Sequence, residues 1–446
     1  MVFKKILSLL KPASHLPEIQ DGAVVATTYK YWRMRVFYSM YVGYVFYYFT
    51  RKSLTFAMPA LMQDLGFDMS DLGIFSSILA VSYGISKFVN GIWADRSNAR
   101  YFMAFGLILT GVLNILFGCV SSLFLFSLLW GLNGWFQGHG WGPCARLLTH
   151  WYSQKERGTW WGAWTTTHGV GGGVIPIATA LLAQEFGWRY AMVLPGVLAI
   201  AMGFFLINRL RDTPQSLGLP SIEKFNNDYS TQKPHENELT VRELLFQYVL
   251  RNKYLWILGI SYFFVYVIRS AINDWTVLYL VQVKGYSLIA AGSCVSLFEL
   301  GGVLGSVVAG WASDKIFASK RSPVNILFSL LVIIPVSLLF FSPAGAFLID
   351  STLLFLIGFF IFGPQTLIGL AAAELSHKKA GASATGFTGS WAYLGAAAAG
   401  YPLIKLTELF GWEVFFMTLG ACGVITALLL LPLWSVRTNP KYELNN

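Results

Sequence analysis

Apolar stretches of about 20 residues recur from one end of this chain to the other, each long enough to cross a bilayer's hydrocarbon core as a helix. In lipid every backbone N–H and C=O must be satisfied within the protein, so only helices and closed barrels can span. Continuous apolar runs, rather than strict alternation of apolar and polar residues, select helices. The composition agrees: 55% of residues are hydrophobic and 12% charged, about half the charged share of a soluble domain. Twelve spans are expected. Six lie near 36–63, 72–94, 101–121, 124–148, 158–184 and 187–208, and six near 254–282, 288–312, 323–342, 346–372, 381–404 and 412–435. The expected class is an all-α integral membrane protein with twelve transmembrane helices in two six-helix repeats. An N-terminal bundle covers 1–208, a polar cytosolic linker 209–253 and a C-terminal bundle 254–446.

The basic residues orient these spans, because cytoplasmic loops of membrane proteins carry an excess of Lys and Arg. With both termini in the cytosol, 25 of the 32 Lys and Arg residues fall in cytosolic segments, and only Arg189, Lys284 and Lys405 in outer loops. The net charge of +10 is thus spread over short loops and does not suggest nucleic-acid binding. Cys119, Cys144, Cys294 and Cys422 lie in or beside apolar runs with no disulfide or metal-ligand spacing, and read as small buried residues. Lys4 and Lys5 precede a short apolar patch that Lys11 and Pro12 interrupt, which does not read as a cleavable signal.

Four basic residues remain inside spans, and two of them are related by a repeat. Tyr44, Tyr48 and Arg51 recur as Tyr262, Tyr266 and Arg269, each 218 positions later. The i, i+4, i+7 spacing puts each triad on one helix face. A guanidinium does not shed its charge, and at the centre of a membrane helix it costs about 2.5–3.5 kcal/mol on insertion scales. One reading has each Arg snorkel to a headgroup or pair with a buried carboxylate. The other has both line a cavity and grip one anion from two sides.

A second repeat supports the first. Gly91, Asp95 and Arg96 close the second span, and Gly310, Asp314 and Lys315 close the eighth, with the aspartates 219 positions apart. This Gly-x-x-x-Asp-Arg/Lys turn resembles the loop signature of the major facilitator superfamily. Its glycine would admit a neighbouring helix and its Asp would cap or pair with a helix end or an Arg, a conformational role away from substrate.

Other polar residues inside the spans are candidates for a site. Tyr83 and Lys87 are an i, i+4 pair; Lys87 either snorkels to the cytosolic surface or draws anions to a cavity mouth. Asn133, Gln137 and Trp141 share a face suited to sugar hydroxyls or to interhelical hydrogen bonds. His168, beside Gly171–Gly173, either bonds an anion or is satisfied by a neighbouring helix; the glycines suit bending and close packing. Asn273 and Asp274 follow Arg269. Glu299 pairs with an arginine, binds sugar hydroxyls or makes a structural hydrogen bond. Thr385, Thr388 and Tyr393 follow the basic loop at Lys378 and Lys379. No metal cluster, nucleophile–base pair or nucleotide loop is recognisable, so no cofactor is expected and an enzyme is a poor reading.

The stretches YYFTRKSLTFAMP, GISKFVNGIWADRSNARYF, WYSQKERGTWWGAW, RDTPQSLGLP, YVIRSAINDW and FGPQTLIGLAAAELSHKKAGASATGFTG resemble the organophosphate:phosphate antiporter family of that superfamily. The resemblance runs over essentially the whole chain, and SNARYFM, RSAINDW and AAAELSHKK look most like its bacterial hexose phosphate sensor–transporter branch. It implies that Arg51 and Arg269 bind phosphate, with Lys87, His168, Tyr44, Tyr48 and Tyr266 beside them, and that Tyr83 and Tyr393 line the cavity. Thr385 and Thr388 stand where the family's dedicated hexose phosphate transporter has Asp and Lys, which leaves glycerol 3-phosphate open. The resemblance implies a glucose 6-phosphate:phosphate antiporter of the bacterial inner membrane, working as a monomer by alternating access. The competing class is a receptor for external glucose 6-phosphate acting on a membrane kinase.

Overall fold

The structure is a computed structural model that describes residues 9–226, 244–376 and 381–436. Among the described residues all regular structure is helical. The long helices of the first half are α1 (Gly22–Leu65), α2 (Met69–Asp95), α3 (Ala99–Cys119), α4 (Leu123–Trp151), α5 (Gln154–Phe186) and α6 (Trp188–Arg209). Those of the second half are α7 (Lys253–Gln282), α8 (Leu288–Lys315), α9 (Arg321–Leu331), α10 (Ile333–Phe341), α11 (Phe347–Glu374), α12 (Gly381–Ala398), α13 (Tyr401–Phe410) and α14 (Trp412–Leu430). Nine helical stretches among the described residues are long and apolar enough to cross a membrane. The 44 residues of α1 span about 66 Å at 1.5 Å per residue. That helix therefore begins well before the apolar run that marks it in the sequence.

Two expected spans are each built from two helices, and a proline explains both breaks. Pro335 has no N–H to give Leu331, and its ring crowds that carbonyl, the last residue of α9. Pro402 stands in the same relation to Ala398, the last residue of α12. The second break is finished by a side chain from α2. The Ser77 hydroxyl accepts from the Tyr401 N–H at 2.8 Å and donates to the Ala397 carbonyl at 2.7 Å. One hydroxyl thus serves an amide at the start of α13, which the break deprives of its helical acceptor, and a carbonyl at the end of α12 that also accepts from the Gly400 N–H at 3.1 Å.

Packing divides the chain into two compact units. One comprises Met1–Leu54, Ile85–Gly171 and Trp188–Glu236; the other comprises Thr55–Gly84, Gly172–Gly187 and Asn237–Asn446. The division falls inside α1, α2 and α5.

In the first unit Asp212 is 2% exposed and holds four donors. Its carboxylate accepts from Arg146 Nε at 3.0 Å and Nη2 at 3.3 Å, from the Ala13 N–H at 3.1 Å and from the Ala99 N–H at 3.0 Å. The end of α4, the start of α3 and the chain before α1 are thereby tied to the segment after α6. A buried carboxylate is tolerable only when so satisfied.

In the second unit α8 lies directly on α11 through small residues. A Cβ at Gly301 would fall 2.0 Å from the Phe355 carbonyl oxygen, and one at Gly305 1.9 Å from that of Phe359. This is the close backbone approach that small-xxx-small spacing permits in membranes, where dispersion replaces the hydrophobic drive between helices. At the end of this pair Arg321 grips Glu374 with Nε at 3.0 Å and Nη2 at 2.9 Å, and reaches Asp314 at 2.5 Å.

Candidate functional site

The first triad is in the unit that holds residues 1–54, and its arginine is held from two sides. The guanidinium of Arg51 lies over the Tyr48 ring, 4.8 Å from its centroid, a cation–π arrangement. Its Nε and Nη2 both donate to Gln137 Oε1, each at 3.2 Å. The His168 ring sits 5.6 Å from that of Tyr44, 5.4 Å from Tyr48 and 5.9 Å from Trp164. Thus α5 brings its histidine to the same face of α1 that carries the triad. On α2, Lys87 Nζ lies 5.1 Å from the Trp141 ring centroid, so Trp141 serves the lysine. Asn133 is fully buried and donates to the Thr50 carbonyl at 3.0 Å, the interhelical hydrogen bond that was one of its two readings.

The second triad is in the other unit, and its arginine lies against aromatic rings. Tyr262 and Tyr266 meet edge-on at 4.9 Å, and the Tyr262 hydroxyl donates to the Gln365 carbonyl at 2.9 Å. The guanidinium of Arg269 lies 5.6 Å from the Tyr266 ring and 4.9 Å from Phe362. Tyr393 stands between Tyr266, at 5.9 Å, and Tyr83, at 4.9 Å. These tyrosines thus form one continuous aromatic patch that meets the second arginine at Tyr266.

Glu299 is 5% exposed and packs against Gly172, where a Cβ would fall 2.6 Å from both Cγ and Cδ of the glutamate. One turn before it, Ser296 Oγ donates to the Gly173 carbonyl at 2.7 Å. The glycine run in α5 therefore makes room for a carboxylate on α8. Thr388 is fully buried and bonds carbonyls of its own helix, Ala384 at 3.1 Å and Thr385 at 3.2 Å. Thr385 is half-buried. Asn273 donates to Asp274 at 2.9 Å.

The loop motifs differ from the packing role expected of their glycines. Among the described residues nothing lies within 4 Å of a Cβ built on Gly91 or Gly310. The tight approach between α2 and α4 falls at Gly142, whose Cβ would lie 2.8 Å from Ala94 Cβ and 3.4 Å from the Gly91 Cα. Asp314 pairs with Arg321, whereas Arg96 and Lys315 are exposed. The side chain of Asp95 lies outside the described residues.

The sequence reading missed Phe362, Trp164 and Thr50, which have no charge or repeat to draw attention. Each is placed by helix rotation, which hydropathy does not report.

Each guanidinium group lies over a tyrosine ring, that of Tyr48 for Arg51 and that of Tyr266 for Arg269. Arginine offers paired donors in a fixed fork, the geometry that phosphate accepts.

The family model described as Major Facilitator Superfamily matches residues 40–400. A protein of Chlamydia pneumoniae named "Probable hexose phosphate transport protein" is 56% identical over 442 residues, covering 95% of this chain and 96% of its own. The membrane sensor protein UhpC of Escherichia coli is 46% identical over 435 residues, covering 97% and 99%. A bacterial homologue of the human lysosomal transporter Spinster shares the fold, with a TM-score of 0.72 at 14% identity over 90% of this chain and 96% of that one.

Proposed function

The chain belongs to the Major Facilitator Superfamily, and from that premise we propose that it exchanges a sugar phosphate, glucose 6-phosphate first, for inorganic phosphate across the bacterial inner membrane. It is a multi-pass membrane transporter and not an enzyme. The observation that carries the proposal is the doubled triad. Arg51 with Tyr48 and Arg269 with Tyr266 repeat the same cation-on-phenol arrangement in the two units. In this reading the two repeats, 1–208 and 254–446, rock about a central cavity, with both termini and the 209–253 linker in the cytosol.

The charges set the mechanism. A phosphate monoester is close to a dianion at neutral pH, since its second pKa is about 6, and it matches two guanidinium groups. Carrying those two charges through the low-dielectric middle of the bilayer without an anion has a desolvation cost. Either substrate offsets it, and so either one releases the rocking motion. Exchange is then obligatory. His168, Lys87 and Tyr44 complete the anion-binding surface, and Tyr83 and Tyr393 line the cavity beside it.

The 46% identity to a membrane sensor protein favours one second reading, a receptor that binds external glucose 6-phosphate and acts on a kinase partner. The same experiment separates the two. Proteoliposomes holding only this protein are loaded with phosphate and offered labelled glucose 6-phosphate, with glucose and glycerol 3-phosphate as competitors. The proposal requires uptake that needs internal phosphate and ignores glucose. Equal uptake into phosphate-free vesicles would refute exchange, and tight binding without flux would establish the receptor.

A further inference from the structure

Around Arg51 lies a buried polar ladder. Thr50, Ser53, Thr110, Asn114 and Asn133 are all fully buried, and Gln137 is 1% exposed. Asn114 Nδ2 donates to the Thr50 carbonyl at 2.9 Å and to the Thr110 carbonyl at 3.0 Å. Asn133 donates to the same Thr50 carbonyl. Two helices thus hold the α1 backbone at the residue before Arg51. Gln137 Nε2 donates to Thr50 Oγ1 at 3.0 Å, and that hydroxyl has Tyr47 O at 3.2 Å and Thr110 Oγ1 at 3.3 Å as acceptors for its own proton.

The donor–acceptor inventory leaves one orientation for the Gln137 amide. A guanidinium has five donors and no acceptor, so Oε1 must face Arg51 and Nε2 must face Thr50. With Oε1 on the Nε–Nη2 edge, that edge is occupied by protein. We propose that Gln137, oriented by Thr50, is a positioning residue that holds the Nε–Nη2 edge of Arg51 and so fixes the plane in which the guanidinium meets the phosphate group. This rests on the proposed role of Arg51 in anion binding, and it assigns Gln137 away from the sugar. Positioning of this kind matters because a bidentate contact loses strength steeply with angle.

The test uses purified full-length protein and two probes, inorganic phosphate and glucose 6-phosphate, with dissociation constants measured for each. Gln137→Met keeps the length of the side chain but removes the acceptor, and Thr50→Val removes the hydroxyl at constant volume. Each variant is expected to weaken both probes alike, by about tenfold or more, the consequence of a misdirected charged donor. Thr50→Ser restores the hydroxyl and should bind as the parent does. Ser53→Ala removes an equally buried rung, the bond to Asn114 Oδ1 at 3.1 Å, without touching Gln137, and should also bind as the parent does. A loss confined to glucose 6-phosphate would make Gln137 a sugar contact and overturn the proposal. So would unchanged affinity in Gln137→Met or Thr50→Val, or an equal loss in Ser53→Ala, which would mark a general packing effect. Failure of the parent to bind either probe would instead refute the anion-site reading on which the proposal stands.

Discussion

Ser77→Ala isolates the splice between α12 and α13. The substitution removes one acceptor, for the Tyr401 N–H at 2.8 Å, and one donor, to the Ala397 carbonyl at 2.7 Å. Each hydrogen bond contributes about 1 kcal/mol net, and a group left dry without a partner costs about 1–3 kcal/mol. The half-buried position of Ser77 lets water recover part of this, so the expected loss is about 2 kcal/mol. For 446 residues the unfolding entropy is about 0.9 kcal/mol/K, which makes the shift in Tm about 2 °C if the whole chain unfolds together, and more if the helices separate in part. Thermal unfolding in one detergent, followed by tryptophan fluorescence, reads this directly. Gly400→Ala should cost more, because its Cβ would fall 2.3 Å from Ser77 Oγ and 2.7 Å from the Ser77 backbone nitrogen. In the double variant the first clash is gone and the second remains. The two losses should therefore add to less than their sum. A Tm for Ser77→Ala within experimental error of the parent, or strict additivity with Gly400→Ala, would show that the hydroxyl does not hold the break.

Three further outcomes are expected. Gly305→Leu, with its first added carbon 1.9 Å from the Phe359 carbonyl oxygen, must force α8 from α11 and should lower stability by at least about 3 kcal/mol, read as lost monodisperse protein in size-exclusion chromatography. Arg321→Ala strands Glu374 and Asp314 and should cost about 1–3 kcal/mol, less than a fully dry pair because Asp314 is exposed; a Tm equal to the parent's would contradict it. Glu408 is held below the usual carboxylate range by the Ser70 hydroxyl and then by Lys405. Its contribution is present above the carboxylate's unfolded-state pKa and is lost as pH falls through the lower folded-state value. The Tm gap between parent and Glu408→Gln should therefore close on acidification, and a gap independent of pH would contradict the bond.

The sequence made the helical class and the two triads legible because both are carried by local signals. A run of apolar residues has one satisfied conformation in lipid, and i, i+4, i+7 spacing fixes a face. The breaks at Val332 and Gly400 were less legible, since Pro335 and Pro402 leave hydropathy unchanged and other prolines, Pro59, Pro143, Pro195 and Pro364, sit inside continuous helices. Beside Pro402 the Tyr401 N–H and the Ala397 carbonyl, which would pair in a continuous helix, both bond Ser77, far away in sequence. Gln137 shows the same limit at the site. Its face was readable, but its partner depends on how α4 is rotated against α1, which only tertiary packing sets. The loop glycines mislead in the opposite direction. The motif around Gly91 suggests close approach, and the Gly91 Cα does lie in the contact, but the glycine whose added Cβ would clash there is Gly142 on the facing helix.

The claim on which the account stands is that Arg51 and Arg269 together hold one phosphate group. Phosphate self-exchange in proteoliposomes, measured for Arg51→Lys and Arg269→Lys at matched protein incorporation, tests it most directly. Lysine keeps the positive charge but replaces a planar fork by a point donor. The account predicts that each variant alone falls to the background of protein-free vesicles. Exchange near the parent rate in either variant would contradict it, and would return that arginine to a structural role.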